Sequence, residues 1–386
     1  MRHTLILLFV WLSVTTSAYS QAKSNKRLSN LSNDATYIPE PYNQHIDSLC
    51  NYLMNNYKSD ELRVKAAYQW IVSSISYDTE KALNIEFINN SDKYNINDIL
   101  KARKGVCADY AKLFQNICIR IGIKSYVVTG YTKQNDQIDF IPHAWCVFLL
   151  DSVWQLADPT WDAGYVVGNS FKSIPSLTYY RIKPTDMVKT HMPFDPVWQL
   201  LERPVSYYFF DTSRPVPQLS NRVLNYNKLI SDFIEADSAR SLILEIDRVS
   251  QEKTTNSIVQ HHLQILRFNL VQLNAAILGK ASIQYNFAVD KYNQFISFLN
   301  KQFKPAISDS ELRLMLQDPK NLCVEVRRSL TSVQRPTSEI ISSQNQLISA
   351  LDKLEADIDR YNTWLSAYLT KGKIGRALWF SRLSQD

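Results

Sequence analysis

The sequence predicts an α+β domain followed by an all-α helical bundle. Trp, Tyr and Pro concentrate between about residues 40 and 212, where helical and strand patterns mix. The texture changes after Pro215-Val216-Pro217, and from about 219 onward apolar residues recur at helical spacing. A chain of 386 residues accommodates two domains of ordinary size. Apolar and charged fractions of 45% and 21% suit a globular protein, and only 8 Gly and 14 Pro exclude a fibrous or low-complexity one.

The first 20 residues read as a targeting segment. Arg2 supplies positive charge, Leu5 to Val14 form an apolar run, and Ala18-Tyr19-Ser20 offers small residues before Gln21. The run is shorter than the roughly 20 apolar residues that span a bilayer. No Cys stands at the cleavage point to carry a lipid. The expectation is a cleaved signal peptide, a secreted or periplasmic protein, and no stable membrane span after processing. Residues 21–36, rich in Ser, Asn and Lys, read as a linker.

The α+β domain is expected over 37–212. Glu61 to Ser74 is an amphipathic helix, with Val64, Ala67, Tyr68 and Ile71 on one face. A second helix runs from about Cys107 to Ile121, with Gly122 at its C-terminal turn. Ser125 to Tyr131 is β-branched and aromatic, hence a strand. His143 to Leu150 and Val153 to Ala157 are two further strands joined by a tight turn around Asp151. The bundle is expected over 219–386. Leu229, Ile230, Phe233 and Ile234 form one stripe, and Leu347, Ile348, Leu351, Leu354 and Ile358 another. Helix breaks are expected near Lys304-Pro305, Asp318-Pro319 and Arg335-Pro336. The stripes read as a bundle core; self-association or partner binding through these helices is the sharper alternative.

A net charge of +6, or +5 once Arg2 is removed, is too small to imply nucleic acid, and no basic stripe is interleaved with aromatics. The five cysteines (Cys50, Cys107, Cys118, Cys146 and Cys323) are an odd number, so at least one thiol stays unpaired within the molecule. No C-x-x-C pair occurs, and on a helix His261 and His262 point about 100° apart. Neither a structural zinc, nor calcium, nor any other cofactor is called for.

One set of residues has the makings of a nucleophilic site. A cysteine nucleophile reacts as its thiolate, which a helix N-terminus favours through partial positive charge and unpaired N–H groups. Cys107 stands where the second helix begins. Gly105 lets the backbone make the preceding turn and lets a substrate approach closely. The N–H of Cys107 is then placed as an oxyanion donor. A two-residue turn at Leu150-Asp151 sets His143 directly opposite Asp158, with Cβ atoms about 4.5–5.5 Å apart. A carboxylate there fixes the imidazole while the other ring nitrogen faces the thiol. Pro159 biases Asp158 toward an extended conformation. Parity sends Cys146 to the other face of the sheet. Cys118 lies about 16 Å along the helix from Cys107, too far for a disulfide. Both read as core residues; Cys50 and Cys323 are undetermined.

The run Gly105-Val106-Cys107-Ala108-Asp109-Tyr110-Ala111 resembles the nucleophile segment of the transglutaminase-like superfamily. His143-Ala144-Trp145 and Asp158-Pro159-Thr160-Trp161-Asp162 resemble its histidine and aspartate segments, in the family's order. Trp70-Ile71 and Ile75-Ser76-Tyr77-Asp78 are similar to the helix and strand-like stretch upstream. His191-Met192-Pro193 with Trp198-Gln199-Leu200-Leu201 resembles an extension in the kyphoscoliosis-peptidase branch. The resemblance covers about 60–205. It implies a papain-like core, in which a helix carrying Cys packs on an antiparallel sheet carrying His and Asp. It also implies thioester chemistry on amides, with Cys107 as nucleophile, His143 as proton acceptor and donor, and Asp158 orienting it; the expected partner is a protein or peptide substrate, and the sequence does not separate a protein from a cell-wall peptide. Trp145 and Trp161 either wall the substrate channel or pack the core. Cys146 stands where the family often has Asn. Hydrolysis is expected over amine transfer. The alternative is a non-catalytic binding module using the same cleft, with the helical half mediating assembly.

Overall fold

The computed structural model describes residues 37–82, 95–213, 223–252 and 254–383. The expected signal peptide, the linker and the Pro215–Pro217 boundary lie outside these residues. Two compact units emerge. The first runs to Ser231 and includes Arg248–Gln260; the second comprises Asp232–Asp247 and the chain from His261. Residues 223–231 and 248–260 thus belong with the first unit, beyond the expected limit at 212.

The first unit opens with helices α1 (Ile46–Asn56) and α2 (Asp60–Ser74). Ser59 caps α2, its Oγ accepting the Leu62 N–H at 3.3 Å. Strand β1 (Ser76–Tyr77) lies parallel to β2 (Lys104–Gly105), with short helices α3 (Thr79–Ala82) and α4 (Ile96–Ala102) between them in sequence. Helix α5 (Cys107–Arg120) follows at once. Gly122 ends it at φ +90°, and the Ile123 N–H returns to the Cys118 carbonyl at 2.8 Å.

The sheet is built from β3 (Ser125–Gln134), β4 (Gln137–Ile138), β5 (His143–Leu150), β6 (Val153–Ala157), β9 (Tyr180–Ile182) and β10 (His191–Pro193). Its order is β10-β3-β5-β6-β9, with β4 pairing β3, and every pairing is antiparallel. Between β6 and β9 lie helix α6 (Pro159–Ala163) and a separate hairpin, β7 (Gly164–Val167) with β8 (Ser170–Ser173).

Helix α5 packs on the β5 face that carries Ala144, Cys146 and Phe148. Phe114 meets Phe148 edge-on at 5.5 Å, and the Cys146 thiol donates to the Ala111 carbonyl at 3.2 Å. Cys118 and Cys146 are fully buried core residues, as parity and spacing indicate.

The β5–β6 register differs from expectation by two residues. Leu150 pairs with Val153 and Cys146 with Ala157, so the turn is Asp151-Ser152 rather than Leu150-Asp151. Both turn residues have positive φ, 49° and 63°, the backbone that matches the twist of a two-residue hairpin. Asp158 accordingly is not opposite His143. An even shift keeps both residues on one face, now as diagonal neighbours.

On that same face Gly130 admits two close neighbours. A Cβ there would lie 2.2 Å from the Met192 carbonyl oxygen and 2.6 Å from the Trp145 ring. Gly130→Ala should therefore push β10 off β3. The expected loss, read from urea denaturation, is at least the 1–3 kcal/mol typical of overpacking; a neutral result would mean that β10 is not seated as described.

The remaining first-unit helices are α7 (Pro184–Met187) and α8 (Tyr207–Thr212). Helices α9 (Tyr226–Glu235), α10 (Ser238–Gln251) and α11 (Ser257–Asn300) contribute residues to both units. Helices α12 (Asp309–Thr331), α13 (Ser338–Leu369) and α14 (Lys373–Leu383) complete the second. Its core joins Ala281 and Ala288 of α11, Cys323 and Val326 of α12, and Leu351, Leu354 and Ile358 of α13. The second stripe of the sequence is thus a bundle core. Helix breaks do fall at Pro305 and Pro336, but Pro319 lies inside α12. There Leu312, Leu316, Pro319, Cys323, Val326 and Leu330 bury one continuous face, and that packing outweighs the missing N–H. Among the described residues no helix is long and apolar enough to cross a membrane.

Candidate active site

Cys107 is the first residue of α5, with Val106 as N-cap. Asp109 shapes this start: its Oδ2 accepts the Val106 N–H at 2.9 Å and the Lys81 ammonium at 2.6 Å. A Cβ on Gly105 would lie 2.7 Å from Asp109 Cβ. The space beside that glycine is thus taken by the chain's own carboxylate arm. The N–H groups of Cys107 and Ala108, in the first turn, have no carbonyl one turn back within the helix. Cys107 is half-buried, whereas the other four cysteines are buried, and all five are free thiols. Burial pushes the Cys50 thiol up to about 12 and Cys323 to about 11, and raises Cys118 and Cys146 further still.

His143 begins β5, where the sheet ends. Its Nε2 lies 2.7 Å from Asp158 Oδ2, and the nearby Cys107 thiol acts electrostatically on the ring. Nδ1 is thus the ring nitrogen left for the sulfur. Burial works against the imidazolium, but the charge and hydrogen bond of Asp158, reinforced by Cys107, outweigh it and hold the ring up at about 10.

Asp158 is fully buried and is the N-cap of α6, one residue past the end of β6. Oδ1 accepts the N–H groups of Thr160 and Trp161, at 2.8 and 3.2 Å. Oδ2 faces two imidazoles, His143 at 2.7 Å and His191 at 3.0 Å. Burial would raise this carboxyl, yet the two histidines prevail and it sits well below the ordinary carboxylate range. Pro159 at the first helical position serves both conformations: it keeps Asp158 extended and starts the helix that caps onto it.

Asp162, the second acid of this segment, holds the surrounding loop. It accepts from Tyr68 Oη at 2.6 Å, from the Tyr179 N–H at 2.9 Å and from the Ser176 hydroxyl. Burial dominates here, and the carboxyl rises to about 6. The sequence assigns no role to Asp162 or His191. An isolated second acid, and a histidine 33 positions further on, carry no local spacing signal.

Of the residues singled out in the sequence, the structure pairs His143 with Asp158 and sets Cys107 close enough to act on the His143 ring. Of the three expected substrate contacts, only Trp161 is half-exposed; its ring lies 6.2 Å from that of His143. Trp145 is 1% exposed and Gly105 is buried, so these two support the site from beneath. The ligand atoms of His143, Asp158 and His191 lie within 4.8 Å of one another. Both imidazoles, however, are engaged by the same carboxylate oxygen, a hydrogen-bonded cluster that is complete in itself.

Residues 47–159, which include Cys107, His143 and Asp158, match the family model of the transglutaminase-like superfamily. Kyphoscoliosis peptidase from Mus musculus is 31% identical over 177 residues, covering 44% of this chain and 26% of that protein. The Homo sapiens protein of the same name is 30% identical over 177 residues, with the same coverage. The chain therefore spans about a quarter of the length of these curated relatives. A TGase crystal structure aligns over 42% of this chain and 43% of its own, at 20% identity and a TM-score of 0.26. The segment that carries Cys107, His143 and Asp158 is thus a transglutaminase-like domain by its match to that superfamily's model, and it is similar to the kyphoscoliosis peptidases.

Proposed function

We propose that the first unit is a thiol-dependent acyl-transfer enzyme acting on protein or peptide amides, and that water is its usual acceptor. The observation that carries this reading is the half-buried thiol at a helix start, next to an imidazole whose far nitrogen is 2.7 Å from a buried carboxylate. Sγ of Cys107, as thiolate, would attack the amide carbonyl carbon. The Cys107 N–H would receive the developing oxyanion. The His143 imidazolium would give its proton to the leaving amine as the C–N bond breaks, leaving a thioester. Water would then add to the thioester with His143 taking its proton, and C–S cleavage would release the acid and restore the thiolate. The curated relatives are named peptidases, which favours hydrolysis over transfer to an amine. Export through the N-terminal segment belongs to the same proposal; a mature N-terminus other than Gln21 would count against it.

The test is alkylation at pH 6.5 with sub-stoichiometric iodoacetamide. Cys107 should react first, but its exposure alone favours that. The deciding comparison is His143→Ala, in which the Cys107 rate should fall about ten-fold or more, as expected when an activated thiol loses its partner. An unchanged rate would favour a binding module. Casein-derived peptides incubated with and without a primary amine then separate release from incorporation.

A further inference from the structure

We infer that His191 is a positioning residue for the nucleophilic site: through a second hydrogen bond to Asp158 it fixes the carboxylate that aligns His143. The inference rests on the triad reading above. Its basis is the way the four donors divide between the two oxygens of Asp158. Helix α6 occupies Oδ1 through two backbone N–H groups, so the carboxylate plane is set by the chain. Oδ2 alone remains for side chains, and His143 and His191 share it at 2.7 and 3.0 Å.

The tautomer of His191 follows from its other neighbour. Thr190 Oγ1 lies 2.8 Å from Nδ1; of its other neighbours, the Met187 carbonyl is farther, at 3.4 Å, and the Tyr179 hydroxyl can itself donate to Oγ1. A hydroxyl donating to Nδ1 leaves the proton on Nε2, aimed at the carboxylate. The opposite tautomer would set a nitrogen lone pair against an anionic oxygen at 3.0 Å, which is repulsive. The ring is 1% exposed, and burial lowers its tendency to take a second proton although Asp158 opposes this. It is therefore a neutral donor of fixed direction. Aromatic rings hold it in place, with centroid distances of 4.4 Å to Trp161, 5.2 Å to Trp145 and 5.4 Å to Tyr179.

Sharing has a consequence for His143. An oxygen that accepts two N–H bonds gives each less of its charge. Removing the His191 donor should leave Oδ2 to His143 alone, tightening its grip on the imidazolium while loosening the carboxylate's own orientation. Besides the two histidines, the titratable groups that sense Asp158 are Asp162 of α6, Cys146 of β5, and Tyr68, Tyr77, Tyr110 and Tyr179. Burial raises all four tyrosines, Tyr179 least, to about 12, so they stay neutral where His143 titrates.

The experiment is a 15N NMR titration of the histidine rings in the full chain, paired with iodoacetamide alkylation of Cys107. In His191→Phe, which keeps a ring but no donor, the His143 midpoint should rise by about half a unit, roughly 0.7 kcal/mol of added hydrogen bonding. Cys107 alkylation at pH 6.5 should slow. His191→Gln, whose amide can donate, should move both back toward native values. A merely structural histidine would change stability in both variants and leave the His143 midpoint in place, and that result overturns the inference. If His191→Phe does not fold, Thr190→Val removes the hydroxyl that fixes the tautomer and should shift the midpoint in the same direction by less; no shift there is equally fatal. Failure of the triad itself reads differently, as native Cys107 alkylation indifferent to His143→Ala.

Discussion

Cys107→Ala should abolish turnover of peptide amides, and Asp158→Asn should lower it by roughly three to four orders of magnitude, the scale of replacing a triad acid with its amide. The amide is a poor substitute because every group aimed at residue 158 is a donor. Two backbone N–H groups meet one oxygen and two imidazoles meet the other. Asn must point its NH2 at one of these pairs, so either the cap of α6 or the His143 contact is lost. Turnover normalised to folded protein separates that loss from simple unfolding. Retention of more than a tenth of native activity would remove Asp158 from the mechanism.

The same carboxylate sets a pH window for stability. Its pKa is depressed in the folded protein, so its contribution is present above the unfolded value near 4 and is lost as pH falls through the lower folded one. His143 has the opposite sign. Its pKa rises to about 10, so its contribution is complete below the unfolded value near 6.5 and disappears as pH climbs toward 10. Urea midpoints of the native protein should therefore decline from pH 7 to 10, and Asp158→Asn should flatten that decline. Parallel declines in the two proteins would mean that the pair is not coupled.

How much of this was legible in the sequence depended on whether the signal was local. Strands β5 and β6 announce themselves through β-branched and aromatic residues, and their face assignment survived an error in register because the side-chain period is two. The turn was misplaced because Asp151-Ser152 lacks the glycine that usually marks a two-residue hairpin. Gly130 did leave a trace, a glycine within the β-rich run Val127-Val128-Thr129-Gly130-Tyr131, which signals a close approach without saying of what. His191 stood out only within the resemblance of His191-Met192-Pro193, which assigns it no role, since that role exists only once β10 is laid beside β3 with His191 opposite Thr132. Pro319 shows the converse, a strong local signal overridden by tertiary packing.

Arg248→Met should cost about 3–5 kcal/mol, the scale of breaking a buried ion pair. Arg248 and Asp195 are 5% and 2% exposed. Nε lies 2.9 Å from each carboxylate oxygen, and Nη2 is 2.6 Å from Oδ2. Asp195 also accepts the Val197 N–H at 3.1 Å, capping the 3-10 turn Pro196–Gln199 that follows β10. The pair therefore ties residues 248–260 into the first unit and fastens the segment directly after His191. Adding Asp195→Asn should recover much of the loss, because Asn can keep the cap while no charge remains buried. That recovery distinguishes a weakened charge pairing from lost packing, which the second substitution could not repair. At temperatures where Arg248→Met stays folded, the His143 titration should match that of the native protein, since the ion pair steadies the extension without touching Asp158. A shift in that titration would mean that the extension moves His191 even in the folded state, coupling the anchor to the site.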